Sequence, residues 1–186
     1  VSNLFYGMPI NGYVALNMNA VAMINDAVGG VTVTVPEDMT QVDPSFAEGA
    51  TVTLTGDQAL KFIRYRDTEK DFSNNSRMER QKQYLVNFMG QAVKAMKADM
   101  GLPVSLYQSL TDDMVTNLSL DRSVYLATEA MDMHFTADGI VSLKAKSKKG
   151  SVYDEVYVDD DALYDLIIKT LSLIHISEPT RQAEIS

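Results

Sequence analysis

The sequence predicts an α/β fold, and two patterns carry this prediction. Apolar residues at helical spacing alternate along the chain with short runs of β-branched residues at strand spacing. The 186 residues are 46% hydrophobic and 22% charged, a composition typical of one globular domain with its own core. The order of the strands within a sheet does not follow from these patterns.

A helix followed by a strand is predicted near the beginning of the chain. Three apolar residues share one face of this helix: Val21, Ile24 and Val28. Gly29-Gly30 is typical of a helix C-terminus, because it lies between a helix and a strand, the reverse of the order in a phosphate-binding loop. Residues 31–35, with the sequence VTVTV, indicate a β-strand that ends before Pro36.

A second, shorter helix is predicted after a loop. Residues 41–49 form the loop, with Asp43-Pro44 as the turn signal. Thr55 and Gln58 have the spacing of a capping box, in which each side chain bonds to the backbone N–H of the other residue. The apolar side of this helix is formed by Ala59, Leu60, Phe62 and Ile63.

The longest predicted helix begins near Ser76, which forms a second capping-box pattern with Glu79. Six apolar residues recur at helical spacing and are predicted to face the core: Met78, Leu85, Phe88, Ala92, Val93 and Met96. Gly101 and Pro103 then predict the end of the helix. Four elements are predicted beyond it, namely a helix over residues 120–131, strands near residues 140–145 and 152–158, and a helix from about Asp161.

Residues 171–186 are predicted to be a non-native tail. Their sequence, LSLIHISEPTRQAEIS, has no clear periodicity and resembles the translation of a sequencing adapter. We therefore predict one domain over residues 1–170.

The charge of the chain is negative overall and positive in one window. Residues 1–170 carry 15 Lys and Arg against 23 Asp and Glu, a net charge of −8, which argues against nonspecific nucleic-acid binding. The absence of cysteine excludes disulfides and thiolate metal sites. Residues 61–82 reverse the sign, with seven basic and four acidic residues.

Four of the five arginines in residues 1–170 lie in this window: Arg64, Arg66, Arg77 and Arg80. Arg77, Arg80 and Gln81 are predicted on one face at the start of the longest helix, where positive charge opposes the helix dipole unless an anion also binds. A guanidinium binds phosphate oxygens in a bidentate manner, which a lysine ammonium does not. The alternative is a set of solvated helix faces with local ion pairs.

Three segments carry a family resemblance: INDAVGGVTVTVPED, LTGDQALKFIRYRDTEKDF and SRMERQKQYL. Together they resemble the LytR-CpsA-Psr family, and the resemblance extends over residues 1–170. Enzymes of this family transfer anionic glycopolymers, such as teichoic acids, from a polyprenyl pyrophosphate carrier to peptidoglycan on the outer face of the bacterial membrane. The resemblance implies an α-β-α sandwich around a central mixed sheet, incomplete in this chain, with the lipid tail in an apolar pocket.

The resemblance also implies roles for individual residues. Arg64 and Arg66 are expected to act in catalysis. The pyrophosphate is expected to be held by Arg64, Arg66, Arg77, Arg80 and Gln81. The link between the two motifs, DFSNNSR, is three residues longer than the compact Asp-x-Gly-Arg of the family and lacks its glycine, so the role of Asp71 stays open.

A magnesium ion and an N-terminal membrane anchor are further implied, and both are expected from sequence upstream of Val1. The expected location is the extracytoplasmic face of the bacterial cell membrane. Asp159–Asp161 are predicted to cap a helix instead of binding metal. His134 is predicted to have a partly buried structural role.

Two functions are consistent with these features of the sequence. The first is a glycopolymer phosphotransferase, of which this chain alone is expected to be inactive because the magnesium ligands lie elsewhere. The second is a non-catalytic module that binds polyprenyl phosphates or an anionic polymer. A turnover assay distinguishes the two.

Overall fold

The computed structural model describes residues 2–67, 73–143, 145–149 and 154–172. Helices and strands alternate within these ranges, which confirms the predicted α/β class. The chain divides into two compact units, Ile10–Ile140 and a smaller unit formed by Val1–Pro9 with Val141–Ser186. The predicted single domain over residues 1–170 stays a prediction.

The larger unit contains four strands and five α-helices in its described residues. In chain order they are β1 (Val14–Leu16), α1 (Met18–Ala27), β2 (Val31–Thr34), β3 (Thr51–Leu54), α2 (Gly56–Arg64), α3 (Ser73–Ala98), α4 (Leu102–Ser109), β4 (Met114–Thr116) and α5 (Leu120–Ala130). β1 pairs with β4 and β2 pairs with β3, both antiparallel. The family resemblance implies a mixed sheet, which contains parallel as well as antiparallel strand pairs. Within the described ranges every strand pair is antiparallel.

The smaller unit contains a hairpin and a helix. Its elements are a 3-10 helix (Ser2–Phe5), β5 (Ala145–Lys149), β6 (Asp154–Val158), α6 (Asp160–Ile167) and a π-helical turn (Ile168–Ser172). The strand predicted near residues 140–145 is wrong in position, because the described part of that segment up to Leu143 is not a strand and β5 begins at Ala145. The predicted cap is confirmed, since the Asp159 carboxylate accepts a hydrogen bond of 3.1 Å from the Ala162 backbone N–H.

The core of the larger unit lies between the β2–β3 pair and helices α2 and α3. Val31, Val33 and Val35 are buried while the threonines between them are exposed, so the predicted period-2 pattern of this strand is confirmed. Phe46 and Phe62 contact each other edge to face, with ring centroids 5.8 Å apart. The buried cluster comprises Val28, Val31, Val33, Val35, Met39, Phe46, Leu54, Ala59, Phe62 and Tyr84.

Four of the helices and strands given above were not predicted, namely β1, β3, α4 and β4. β3 has the alternating sequence TVTL and pairs Leu54 with Val31 of β2. α4 has Gly101 as its N-cap and Pro103 in its first turn. Pro103 was expected to end α3, but proline is also favoured in the first turn of a helix, where no backbone N–H is needed.

The buried face of α3 differs from the prediction. α3 already begins at Ser73, so Ser76 lies inside the helix and its predicted capping box is wrong. Arg80 and Tyr84 are the buried residues of this face, whereas Leu85 is 46% exposed. Leu85 follows Tyr84 directly and therefore lies about 100° further around the helix. Met78 is also exposed, and Phe88 and Ala92 pack against the core as partly buried residues.

A buried polar network joins α1, β3 and α3. The Asn25 side-chain amide donates to the Leu54 carbonyl at 2.8 Å, and the Tyr84 hydroxyl donates to Asn25 Oδ1 at 3.1 Å. The Asn25 carbonyl accepts from the backbone N–H of Gly30, which has a φ of +85°. Gly29 and Gly30 therefore end α1 in the left-handed conformation, as predicted. Burial raises the pKa of Tyr84 to about 12, and the charge of Asp26 adds to this shift.

We expect Tyr84→Phe to destabilise the protein by about 1 to 3 kcal/mol at pH 7, because Asn25 Oδ1 loses its buried donor. An unfolded tyrosine loses its proton near pH 10, whereas Tyr84 in the folded protein keeps its proton up to about pH 12. Wild-type stability therefore falls by about 1.4 kcal/mol per pH unit through this window, and the phenylalanine variant lacks this loss.

Urea titrations between pH 7 and pH 12 measure the difference in free energy of unfolding between wild type and Tyr84→Phe. It should shrink as the pH rises above 10, while other tyrosines titrate equally in both proteins. Tyr125→Phe, at a position 62% exposed, is the matched control and should show no such trend. A difference between wild type and Tyr84→Phe that stays constant to pH 12 contradicts the buried network.

Candidate active site

The arginines of the RYR sequence lie at the end of α2. The predicted capping box is confirmed at its start, where the Thr55 N–H donates to Gln58 Oε1 at 3.0 Å. The helix ends at Arg64, and Tyr65 continues in an extended conformation with a ψ of 135°. Arg64 and Arg66 are exposed while Tyr65 between them is half-buried. The end of α2 therefore presents both arginine side chains at the surface.

Tyr65 attaches this segment to the rest of the larger unit. Its ring packs against the buried cluster, and its hydroxyl accepts a hydrogen bond of 2.7 Å from Gln41 Nε2. The guanidinium carbon of Arg80 lies 5.6 Å from the centre of the Tyr65 ring, which is within the range of a cation–π contact. Tyr65, between the two arginines, is thus fixed by Gln41 at its hydroxyl and by Arg80 at its ring.

Arg80 is buried, with 1% of its surface exposed. Its Nε donates to the Phe62 carbonyl at 3.1 Å. Its two terminal nitrogens donate to the Tyr65 carbonyl and to the Glu37 carboxylate. Burial lowers the pKa of Arg80 from its ordinary value, and the Glu37 charge opposes that shift, so the guanidinium stays protonated at neutral pH.

Gln81 bonds to the same helix end as Arg80. Its side-chain Nε2 donates to the Ile63 carbonyl at 3.0 Å. The last carbonyls of an α-helix have no partner within the helix, and those of Phe62, Ile63 and Tyr65 receive theirs from α3. Arg80 and Gln81 were both expected to bind pyrophosphate, and the structure places their donors on the backbone at the end of α2 and, for one nitrogen of Arg80, on Glu37.

Arg77 belongs to the same cluster. It is half-buried on α3, close enough to Arg80 that its charge contributes to lowering the pKa of Arg80. Because α3 begins at Ser73, Arg77 lies in its second turn and Arg80 in its third. The helix dipole acts within the first turn. It therefore does not favour an anion at these two residues, contrary to the prediction.

A surface depression of about 310 Å³ lies beside the end of α2. Its lining consists of Val42, Leu60, Lys61, Arg64 and Tyr65. Lys61 Nζ is 3.5 Å from Asp43 Oδ2, and hydrogen bonds from Ser45 and Gln58, followed by the charge of Lys61, lower the pKa of Asp43. Because Lys61 is paired with Asp43, Arg64 is the residue on this wall that suits an anionic group.

An apolar pocket of about 210 Å³ lies further along α3. It is lined by residues of helices α3, α4 and α5 and of strands β1 and β4. Its lining is formed by Val14, Val28, Phe88, Ala92, Met96, Leu102, Pro103, Leu106, Tyr107, Leu110, Met114, Ser123 and Ala127. The helix α3 thus carries the arginine cluster near its start and an apolar wall near its end.

Two further residues considered in the sequence analysis, Asp71 and His134, are not among the described residues of this cluster. Asp71, with the link to Ser73, lies outside the described residues. His134 is exposed, so the predicted partly buried role is wrong. The residue follows α5 in a segment without regular structure, where the apolar neighbours in its sequence do not form a covering face.

Sequence reasoning missed the partners of Arg80 and Tyr65. Glu37 follows β2 and Gln41 lies in the next loop, more than twenty residues before the side chains that they contact. A buried arginine requires a counter-ion, but the sequence does not show which arginine is buried. The one local signal for a counter-ion is Glu37, an acidic residue directly after Pro36 and the predicted strand.

The family match covers almost the whole described chain. The model of the LytR_cpsA_psr family matches residues 1–172. The chain belongs to the LytR-CpsA-Psr family. This assigns the arginine motifs described above to a LytR-CpsA-Psr domain and confirms the resemblance inferred from the sequence.

Curated relatives carry a shared functional name. A protein of Bacillus cereus strain AH820 named polyisoprenyl-teichoic acid–peptidoglycan teichoic acid transferase TagU is 47% identical over 75 residues, which are 39% of this chain and 24% of the relative. The TagU of Halalkalibacterium halodurans is 30% identical over 119 residues, 63% of this chain and 38% of the relative. The chain thus matches well under half of the length of these relatives.

Solved structures of the family share the fold. B. subtilis TagV superimposes with a TM-score of 0.67 at 21% identity, covering 96% of this chain and 68% of TagV. B. subtilis TagU gives a TM-score of 0.59 at 20% identity, covering 90% and 66%. A structure described as TagT bound to LI-WTA gives 0.67 at 17% identity, covering 90% and 62%. At these identities the comparison establishes the fold.

Proposed function

We propose that this protein transfers an anionic glycopolymer of teichoic acid or capsular type from a polyprenyl pyrophosphate carrier to peptidoglycan. The observation that carries the proposal is the pair Arg64 and Arg66, displayed at the end of α2 beside a cation-lined depression in an otherwise acidic chain. Family membership and the transferase name of the curated relatives support it.

The reaction in this proposal is a phosphoryl transfer. A peptidoglycan hydroxyl oxygen attacks the phosphorus that carries the polymer, and the hydroxyl proton passes to water. The bond from that phosphorus to the bridging oxygen breaks, and polyprenyl phosphate leaves. Negative charge is concentrated on the phosphoryl oxygens during this exchange, and fixed guanidinium groups stabilise it.

The five predicted residues divide into two groups in this mechanism. Arg64, Arg66 and Arg77 are proposed to contact the pyrophosphate, since a guanidinium matches two phosphate oxygens at once. Arg80 and Gln81 direct donors to the backbone of α2 and are proposed to shape the site from behind.

The apolar pocket is proposed to accept part of the polyprenyl chain. Phe88 on its wall and Arg77 in the cluster are both on α3, eleven residues apart, which corresponds to about 16 Å along the helix. A polyprenyl chain bound at its pyrophosphate end by the arginines can reach the pocket over this distance. Burial of the apolar chain would contribute about 0.8 kcal/mol per methylene.

Magnesium stays a prediction of the family resemblance. Within the described ranges no group of three or more His, Asp or Glu residues is arranged to hold a metal ion. The described residues therefore do not form a magnesium site. The steps above use only the arginines. Its ligands are expected in sequence other than the described residues.

The membrane anchor and the extracytoplasmic location also remain proposals. Among the residues that the structure describes, no helix has the length and apolar content needed to cross a membrane. A lipid-linked donor and a peptidoglycan acceptor would both be met at the outer face of the cell membrane, which is the reason for proposing that location.

We expect Arg66→Ala to reduce polymer transfer by about a hundredfold, because each charge-assisted hydrogen bond contributes about 1.5 to 3 kcal/mol. Arg66→Lys should restore little activity, since lysine keeps the charge and loses the planar fork. The measurement is transfer of labelled polymer from a polyprenyl pyrophosphate donor to peptidoglycan, with magnesium present, by the complete protein that carries this sequence.

Arg122→Ala is the matched control, because Arg122 is an exposed arginine on α5, outside the cluster. Thermal unfolding of every variant establishes that it is folded. Transfer by Arg66→Ala at the wild-type rate would contradict the pyrophosphate site. Tight binding of the lipid donor without turnover by the wild type would favour the non-catalytic binding module.

A further inference from the structure

Arg80 combines deep burial with a full set of hydrogen-bond partners. It is 1% exposed, and its three nitrogen positions each donate to a protein oxygen. Two of these oxygens belong to the end of α2 and the third to Glu37, which follows β2. A single guanidinium therefore connects three segments that are far apart in the sequence.

The carbonyls that Arg80 binds lie directly next to the exposed arginines. The Tyr65 carbonyl is part of the peptide group that joins Tyr65 to Arg66. That group is planar, so fixing its oxygen also fixes the direction in which the chain enters Arg66. The Phe62 carbonyl lies in the last turn of α2, which carries Arg64. One buried side chain thus orients the backbone before Arg64 and between Arg64 and Arg66.

Capping alone does not require this arrangement. The carbonyls at a helix end are ordinarily satisfied by water, by a glycine C-cap or by exposed side chains. Removing a guanidinium from water costs several kcal/mol, which its attraction to a half-buried carboxylate does not always offset. Rigid placement of a neighbouring functional group is a gain that a buried, hydrogen-bonded guanidinium provides and a solvated cap does not.

We propose that Arg80, held by Glu37, is a positioning residue that sets the direction of Arg64 and Arg66 without contacting the substrate. The inference rests on the proposed function of the exposed pair. It predicts that the contribution of Arg80 to the reaction passes through Arg66, so the effects of changing the two residues depend on each other.

A double-mutant cycle tests this dependence. Arg80→Lys keeps a charge near Glu37 but has one nitrogen in place of three. It should lower kcat/KM for the labelled polyprenyl pyrophosphate donor by about ten- to a hundredfold in the wild-type background. In the Arg66→Ala background the same substitution should change kcat/KM by less than about threefold. Arg122→Lys makes the same chemical change at an exposed site and should be neutral in both backgrounds.

A second variant and a second measurement guard against misfolding and inactivity. Glu37→Gln keeps the hydrogen-bond acceptor and removes the counter-charge, so it should reproduce the direction of the Arg80→Lys effect. The Tyr65 backbone amide donates to the Lys61 carbonyl at 3.0 Å, and its hydrogen exchange should be at least about tenfold faster in Arg80→Lys, because local opening of the segment is easier. This measurement requires no turnover.

The outcomes separate the inference from the proposed function. Additive losses in the cycle would show that Arg80 acts independently of Arg66 and would overturn the positioning role. If the wild type shows no transfer, the proposed function fails, and hydrogen exchange decides the positioning role. Unchanged exchange in Arg80→Lys would then overturn that role, whereas faster exchange confined to the RYR segment would support it.

Discussion

Phe62→Ala is expected to lower the free energy of unfolding by about 3 to 5 kcal/mol. Phe62 is fully buried, and its ring contacts Phe46 edge to face at 5.8 Å. The substitution removes the apolar contacts of the ring and leaves a cavity at the centre of the cluster.

The measurement is equilibrium unfolding of wild type and variant in urea. Leu85→Ala is a useful control because Leu85 is a large apolar residue on α3 that was predicted to be in the core and is 46% exposed. Its removal should change stability by less than about 1 kcal/mol. Similar losses for the two substitutions would show that the exposed face of α3 is covered and that the core extends to it.

The boundaries of the helices show how far local sequence signals reach. Thr55 with Gln58 and Ser76 with Glu79 have the same capping-box spacing, yet only the first pair caps a helix. The pattern is reliable where the preceding residues are not helical, as in the strand before Thr55. At Ser76 the helix already extends back to Ser73, and a four-residue pattern contains no information about that extension.

The buried face of α3 could not be predicted from hydropathy. A helical face that includes Arg80 and Tyr84 contains a charge and a hydroxyl, whereas the stripe through Met78 and Leu85 is more apolar. Tertiary partners decide between the two faces. Glu37 neutralises the charge of Arg80, and Asn25 accepts the hydrogen bond of Tyr84.

The candidate site was predictable at the level of the cluster and not at the level of each residue. The two arginine motifs were identified from charge and residue type, and the structure brings them together across α2 and α3. Which arginine is buried depends on contacts with Glu37 and with backbone carbonyls. Those contacts connect residues that lie 43 and 15 to 18 positions apart, beyond the reach of a local pattern.

Gly56→Ala is expected to destabilise the protein by about 3 kcal/mol, although alanine is the better helix former. Gly56 is buried at the start of α2, where it faces α1. A Cβ atom at this position would lie 2.7 Å from the Ala22 carbonyl oxygen and 2.8 Å from Ala22 Cα. These are backbone atoms of α1, so the two helices must move apart, and overpacking of this kind costs about 1 to 3 kcal/mol and sometimes more.

Gly90→Ala is the matched control for this prediction and is expected to have the opposite sign. Gly90 is exposed in the middle of α3, and no atom lies within 4 Å of its added Cβ. Without a clash, the lower conformational entropy of alanine in the unfolded chain should stabilise the protein by about 0.5 to 1 kcal/mol. Urea titration of the two variants measures both values. A stabilising effect at Gly56 would show that α1 and the start of α2 are not in close contact there.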